Sequence, residues 1–134
     1  MLGISSGKIT TSVLAGIATG GLLVSSPAIA GTDGPKECSR GVSTLCASVA
    51  WFESNGDTFW VTDQEKDGYS AAVNFRKKGS TGPWDFYFQR NGAGTTVGYV
   101  WDQPEGTNIE YRACLGKDGV VVANSCGAVA YGKA

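Results

Sequence analysis

Histidine is absent from this 134-residue sequence, which removes the side chain most often used as a general base and as a metal ligand. Serine and cysteine nucleophiles then have no histidine to activate them. No cysteine pair has the C-x-x-C spacing typical of a zinc site. From these absences we expect no enzyme activity, no catalytic residue, no bound metal and no cofactor.

The sequence also has no excess of charge of one sign, because it contains 11 basic side chains and 12 acidic ones. Binding to nucleic acid or to an anionic membrane calls for a basic patch. The near-neutral composition predicts neither partner. Helical periodicity is absent as well, and no apolar run reaches the ~20 residues of a membrane-spanning helix.

The first 30 residues have the three parts of a secretory signal peptide. Lys8 supplies the positive start, residues 13–24 are apolar and small, and Ala28-Ile29-Ala30 is a small-x-small cleavage motif. No Arg-Arg pair is present, which favours general secretion over twin-arginine export. We expect cleavage after Ala30 and a secreted, extracellular protein that begins at Gly31. An uncleaved membrane anchor is the alternative, and the shortness of the apolar run disfavours it.

All four cysteines follow the predicted signal peptide, at Cys38, Cys46, Cys114 and Cys126. An even number of cysteines in a small exported domain predicts two disulfides, for which three pairings exist. We favour Cys38 with Cys46 and Cys114 with Cys126, because the second pair flanks a predicted hairpin turn at 117–119. Such a turn brings the two ends of the hairpin opposite one another.

Turn residues divide the rest of the sequence into short runs rich in aromatic and β-branched residues. The clearest example is Asn55-Gly56-Asp57, a hairpin signal between two such runs. The sequence predicts an all-β fold for residues 47–134, a small antiparallel β-sandwich or barrel of about seven strands with two disulfides. The predicted strands are 47–52, 58–62, 70–75, 84–89, 95–101, 107–114 and 120–123, with a last extended piece at 126–131.

Residues 31–46 are predicted to lie outside this domain. Residues 31–37 contain no apolar side chain able to anchor them, so we expect a flexible leader. A loop closed by the first disulfide follows. Lys36 and Glu37 at the end of the leader are candidate contacts for a partner.

Aromatic residues are numerous for so small a core, with four Trp, five Tyr and five Phe. Burial in the core is the commoner fate of such residues. Trp60 is predicted to point outward, because Phe59 and Val61 on either side of it would point inward. An exposed tryptophan suits a protein partner or a sugar ring. Trp60 is therefore the third candidate partner-binding residue.

Residues 63–68 (DQEKDG) match the first half of a calcium-binding loop, with acids at alternate positions and a glycine for the sharp turn. The match then ends, because Ala71 and Asn74 occupy the ninth and twelfth positions. A solvated turn is the favoured interpretation. The 12 acidic side chains also offer pairs of the kind that a glycosidase uses. Any chain with a dozen acids offers such pairs, so they do not indicate a glycosidase.

Several stretches resemble a family of small secreted proteins of Streptomyces-like actinobacteria. These stretches are 55–63 (NGDTFWVTD), 66–71 (KDGYSA), 94–96 (GTT) and 105–116 (EGTNIEYRACLG), closing at Cys126. Exported actinobacterial β domains of this kind include enzyme inhibitors and the small adaptor subunit of umbrella-shaped antibacterial toxin particles. That adaptor joins a lectin-bearing subunit to a stalk protein. The resemblance implies a fold family and carries over no catalytic residue.

From these observations we expect a secreted, non-catalytic protein-binding module, specifically a subunit or adaptor of an extracellular antibacterial toxin complex. A proteinaceous inhibitor of a secreted hydrolase and a carbohydrate-binding module are the alternatives. The sequence leaves open the partner, which we expect to be a secreted protein although a glycan fits too. Strand order and oligomeric state are open as well.

Overall fold

The computed structural model describes residues 31–134, so the predicted signal peptide lies outside the described residues. The described chain forms nine strands and no helix. They are β1 (Gly34–Cys38), β2 (Ser48–Glu53), β3 (Thr58–Asp63), β4 (Ser70–Lys77), β5 (Asp85–Gln89), β6 (Thr96–Val100), β7 (Asn108–Lys117), β8 (Val120–Val121) and β9 (Ala130–Lys133). In residues 31–134 no helix is long and apolar enough to cross a membrane.

The strands form two antiparallel sheets, which confirms the predicted all-β fold. One sheet has the order β1-β2-β3-β6, and the other has the order β5-β4-β7-β8 with β9 also paired to β7. β2 to β7 lie close to their predicted positions. Predicted strand 120–123 shortens to the two residues of β8, and the last extended piece forms β9 further along the chain.

The predicted leader at 31–37 is not a free segment, and that prediction is wrong. Its second half forms β1, which pairs antiparallel with β2 and places Glu37 opposite Ala50. Thr32 also exchanges two backbone hydrogen bonds of 2.9 Å with Lys133. The β domain therefore begins well before its predicted start at residue 47.

Tyr111 on β7 supplies the anchor that the leader sequence itself lacks. The Tyr111 side chain is fully buried, and its hydroxyl donates a hydrogen bond to the carbonyl oxygen of Pro35. Gly34 packs against the same ring so closely that a Cβ there would overlap it. The leader sequence gave no sign of this contact, because the apolar group belongs to a strand more than 70 residues further along the chain.

Tyr111→Phe is expected to lower the free energy of unfolding by about 1 to 2 kcal/mol, because it leaves the Pro35 carbonyl without its partner. Urea denaturation measures the change, with Tyr131→Phe as the control at an exposed tyrosine. Equal stabilities for the two variants would contradict the role given to the Tyr111 hydroxyl.

The core lies between the two sheets and is centred on Phe59. The Phe59 ring centroid lies 5.1 Å from that of Phe52, 4.7 Å from that of Phe75 and 5.6 Å from that of Tyr111. Trp101 packs at the margin of the same cluster. Aromatic side chains from both sheets therefore meet at a single point.

Both predicted disulfides are confirmed. Cys38 pairs with Cys46 and Cys114 pairs with Cys126, which closes loops with sequence separations of 8 and 12. No described cysteine is free. Two disulfides in so small a domain are consistent with an extracellular location.

The acidic run at 63–68 forms a turn that holds the first disulfide loop. The Asp67 carboxylate accepts hydrogen bonds from Ser43 Oγ at 2.6 Å and from the backbone N–H of Tyr69 at 2.9 Å. Among residues 31–134, no group of three or more His, Cys, Asp or Glu side chains is arranged to hold a metal ion.

Asp63 gives the domain a pH-dependent weakness. Burial raises the pKa of the Asp63 carboxyl above 3.8, and the nearby Asp67 and Glu65 raise it further. The folded state holds this proton more tightly than the unfolded chain does, so stability falls as the pH rises from 3.8 through the raised pKa. Asp63→Asn keeps an acceptor for the Glu65 N–H. We expect it to raise the midpoint of thermal unfolding at pH 7 and to leave the midpoint unchanged near pH 3. A variant that is less stable than the parent at pH 7 would contradict this.

Candidate functional site

Aromatic side chains cover the outer surface of each sheet. The outer surface of the five-stranded sheet, here called the Trp84 face, carries Trp84, Phe86, Phe88, Arg76, Arg90 and Arg112. The outer surface of the four-stranded sheet, here called the Trp60 face, carries Lys36, Trp51 and Trp60. Their charge and exposure differ.

Strand register brings the residues of the Trp84 face together. Asn74 on β4 lies between Phe86 on β5 and Arg112 on β7, so the three form one row across the sheet. The inner positions of β5 belong to Tyr87, which stacks on Tyr99 at 4.9 Å between ring centroids, and to Gln89. The sequence shows that the aromatics alternate along β5 but not that they face outward.

Gln89 explains why Phe86 and Phe88 face outward. It is completely buried, although glutamine is normally exposed. Its Nε2 donates to the carbonyl and hydroxyl oxygens of Thr95 at 2.7 and 2.9 Å, and its Oε1 accepts from the Asn91 N–H at 2.6 Å. Because every polar atom of the amide is satisfied, the inner position tolerates it.

Trp84 is held by two arginines. The guanidinium carbons of Arg76 and Arg112 lie 4.1 and 4.4 Å from its ring centroid. Arg76 is fixed in turn, because its Nε donates to Glu110 Oε2 at 2.6 Å and its Nη1 donates to the Gly82 carbonyl at 2.8 Å. Cation–π contacts of this kind stabilise by about 0.5 to 1 kcal/mol each at exposed sites. Trp84 is therefore presented in a fixed position.

Phe86 is the exposed centre of the face, with 51% of its surface accessible. Its ring centroid lies 4.9 Å from that of Phe88, and Arg90 lies 5.3 Å from the Phe88 ring. Phe88 rests on Gly116, where a Cβ would come within 2.3 Å of the ring. Beside Phe88 is a shallow pocket of about 240 Å³.

The strands of the two sheets differ in charge. β4, β5, β7, β8 and β9 carry five cationic side chains and two acidic ones, and β1, β2, β3 and β6 carry one cationic side chain and three acidic ones. The five cations are Arg76, Lys77, Arg112, Lys117 and Lys133, and Lys78 and Arg90 directly follow β4 and β5. The near-neutral composition conceals this difference, because the cations come from separate stretches of the chain.

Two polar groups in the central row lack hydrogen-bond partners among the described residues. They are Asn74 Oδ1 and Arg112 Nε. Asn74 is 5% exposed. Burial lowers the pKa of Arg112 and the nearby Arg76 lowers it further, while the Glu110 carboxylate partly opposes both. Buried polar groups are normally paired, so this row has unmet hydrogen-bonding capacity.

The Trp60 face holds two of the three sequence-predicted partner residues. Trp60 is half-buried beside Trp51, with 6.5 Å between ring centroids, and its Nε1 donates to Glu53 Oε1 at 3.2 Å. Lys36 Nζ lies 4.5 Å from the Trp51 ring. Glu37 is separate from both, because it lies near Tyr111, whose pKa is raised by burial and then by the charge of Glu37. The partner-binding role of these residues stays a prediction.

The loop between Cys38 and Cys46 presents a third apolar feature. Leu45 at its tip is 72% exposed. The loop is fixed around it by backbone hydrogen bonds from Cys46 to Ser39 and from Ala47 to Thr44, both 3.1 Å. Leu45 is thus an exposed leucine on a cross-linked turn.

No protein-family model matches this sequence, and no curated protein or solved structure shows significant similarity to it. The function must therefore be argued from the surfaces just described.

Proposed function

We propose that this protein is a secreted, non-catalytic protein-binding module and that the Trp84 face is its contact surface. One observation carries the proposal. An exposed phenylalanine and two neighbouring aromatics are interleaved with three arginines on a rigid sheet. Tryptophan and arginine dominate the energetic hot spots of protein interfaces, and aromatics and arginine are enriched in their cores.

The predicted signal peptide and the two disulfides support secretion. The resemblance to small exported actinobacterial proteins supports the more specific role, a subunit of an extracellular antibacterial toxin complex. The sheet framework supports a pre-organised contact surface, because Trp84 is positioned by two arginines and Phe88 by Gly116. A surface that is already ordered loses little conformational entropy on binding.

Affinity purification from the culture supernatant of the producing organism tests the proposal. The full chain, tagged in the exposed turn at Asn55–Gly56 on the opposite sheet, is compared with Phe86→Ala and Leu45→Ala. Mass spectrometry should find a co-secreted protein in fixed ratio to the parent and to Leu45→Ala. Phe86→Ala should reduce affinity by about 30-fold, the ratio that corresponds to a hot spot of about 2 kcal/mol. Equal retention by Phe86→Ala, or recovery of no protein, would contradict the proposal.

Leu45 favours inhibition of a secreted hydrolase as the second candidate function. An inhibitor needs an exposed side chain on a rigid convex loop, and the Leu45 loop is held by its disulfide, by the Ser43–Asp67 hydrogen bond and by backbone contact of Arg40 with Ser125. The same variants separate the two functions. If the bound protein is a hydrolase and Leu45→Ala abolishes its capture while Phe86→Ala does not, inhibition replaces the primary proposal.

A further inference from the structure

We propose that the occupant of the Trp84 face is an acidic, extended segment of the partner protein. Its carboxylates pair with Arg90 and Arg112, and its apolar side chains pack on Phe86. This inference rests on the proposed function and adds the chemistry of the partner.

Uncompensated positive charge is the first argument. Among residues 31–134 there is one ion pair, between Arg76 and Glu110 at 2.6 Å. Glu110 pairs with Arg76 and also acts on Arg112 at longer range, but Arg90 and Arg112 have no carboxylate within ion-pair distance in the described chain. Carboxylates from a partner complement these guanidinium groups and form charge-assisted hydrogen bonds with them.

The guanidinium group of Arg112 is the second argument. Arg112 lies opposite Asn74 in the register and is half-buried, and of its guanidinium nitrogens only Nε is fully buried and unpaired. A purely apolar partner would cover the accessible N–H groups without satisfying them. A segment with carboxylates is able to accept hydrogen bonds from them.

Shape is the third argument. The pocket beside Phe88 is shallow, and its lining contains two cations, Arg90 and Lys117, and one acid, Asp118. Its volume of about 240 Å³ suits one or two side chains. β5, which carries Phe86 and Phe88, is the edge strand of its sheet, so one side of the face is open to an approaching chain. An extended segment fits this geometry.

A single-stranded nucleic acid is the competing occupant, because aromatic side chains interleaved with cations also stack bases. The charge distribution disfavours it. Asp85 and Asp118 border the face. A long polyanion would be repelled as it extended beyond the face.

The four tryptophan indole signals in a ¹H–¹⁵N NMR spectrum provide the test. Trp84→Phe assigns the Trp84 signal in the secreted chain. The probe is a short peptide of alternating glutamate and leucine, and its controls are the same peptide with glutamine for glutamate and a short oligothymidine. We expect the glutamate peptide to shift the Trp84 signal saturably and to leave the Trp60 signal in place. Arg90→Gln, a change at an exposed side chain, should weaken binding about tenfold.

Four results would overturn the inference. They are no shift of the Trp84 signal, equal binding of the glutamine peptide, equal or tighter binding of oligothymidine, and no effect of Arg90→Gln. Retention of the natural partner by the Phe86→Ala and Arg90→Gln variants distinguishes this inference from the proposed function. If Phe86→Ala loses the partner and Arg90→Gln retains it even at high salt, the inference that the occupant is an acidic segment is wrong, and the proposed protein-binding function stands. If both variants retain the partner, both proposals fail.

Discussion

Phe59→Ala should lower the free energy of unfolding by about 3 to 5 kcal/mol, the range for truncating a buried phenylalanine. Phe59 is completely buried, and its ring contacts aromatic rings from both sheets. Its removal leaves a cavity at the point where the two sheets meet, and surrounding rings cannot close that cavity without moving a strand. Guanidinium denaturation measures the change.

Trp60→Ala is the matched control, because Trp60 is the next residue on the same strand and faces outward. It should cost much less stability than Phe59→Ala. A loss at Trp60 as large as that at Phe59 would contradict the assignment of the two faces of β3.

Opening the second disulfide should have the next largest effect. Cys114→Ala combined with Cys126→Ala is expected to lower the free energy of unfolding by about 2 to 4 kcal/mol, because the unfolded chain gains the freedom of the released loop. Cys114 is fully buried in the middle of the sheet, and the neighbouring Gly127 N–H donates to the Ala113 carbonyl at 2.9 Å. Denaturation without reductant measures the loss.

The corresponding double variant of Cys38 and Cys46 is the control, because it opens a loop of similar length. We expect a comparable or smaller loss there, since Cys38 and Cys46 are only half-buried. An unchanged stability after removal of Cys114 and Cys126 would show that the native contacts alone hold this segment in place.

Local chemistry explains which parts of the fold were predictable. Turn residues such as Asn55-Gly56 and the turn at 117–119 mark strand ends by their own backbone preferences, and the second disulfide follows from the hairpin that it closes. Trp60 was correctly predicted to point outward, because alternation with Phe59 and Val61 leaves no other choice.

Non-local contacts explain what the sequence did not reveal. β1 was missed because its anchor is Tyr111 on a distant strand. The outward direction of Trp84, Phe86 and Phe88 depends on the buried hydrogen bonds of Gln89, and alternation alone gives the period without the direction. The cationic face was missed because its arginines come from separate stretches of the chain and meet only when the strands pair.

The central claim is that the Trp84 face binds a protein. Hydroxyl-radical footprinting of the chain with and without its captured partner tests it most directly, because aromatic side chains on both faces report in the same sample. We expect the partner to slow oxidation of Phe86 and Trp84 and to leave oxidation of Trp51 and Trp60 unchanged. Protection of Trp51 and Trp60 without protection of Phe86 and Trp84 would contradict it.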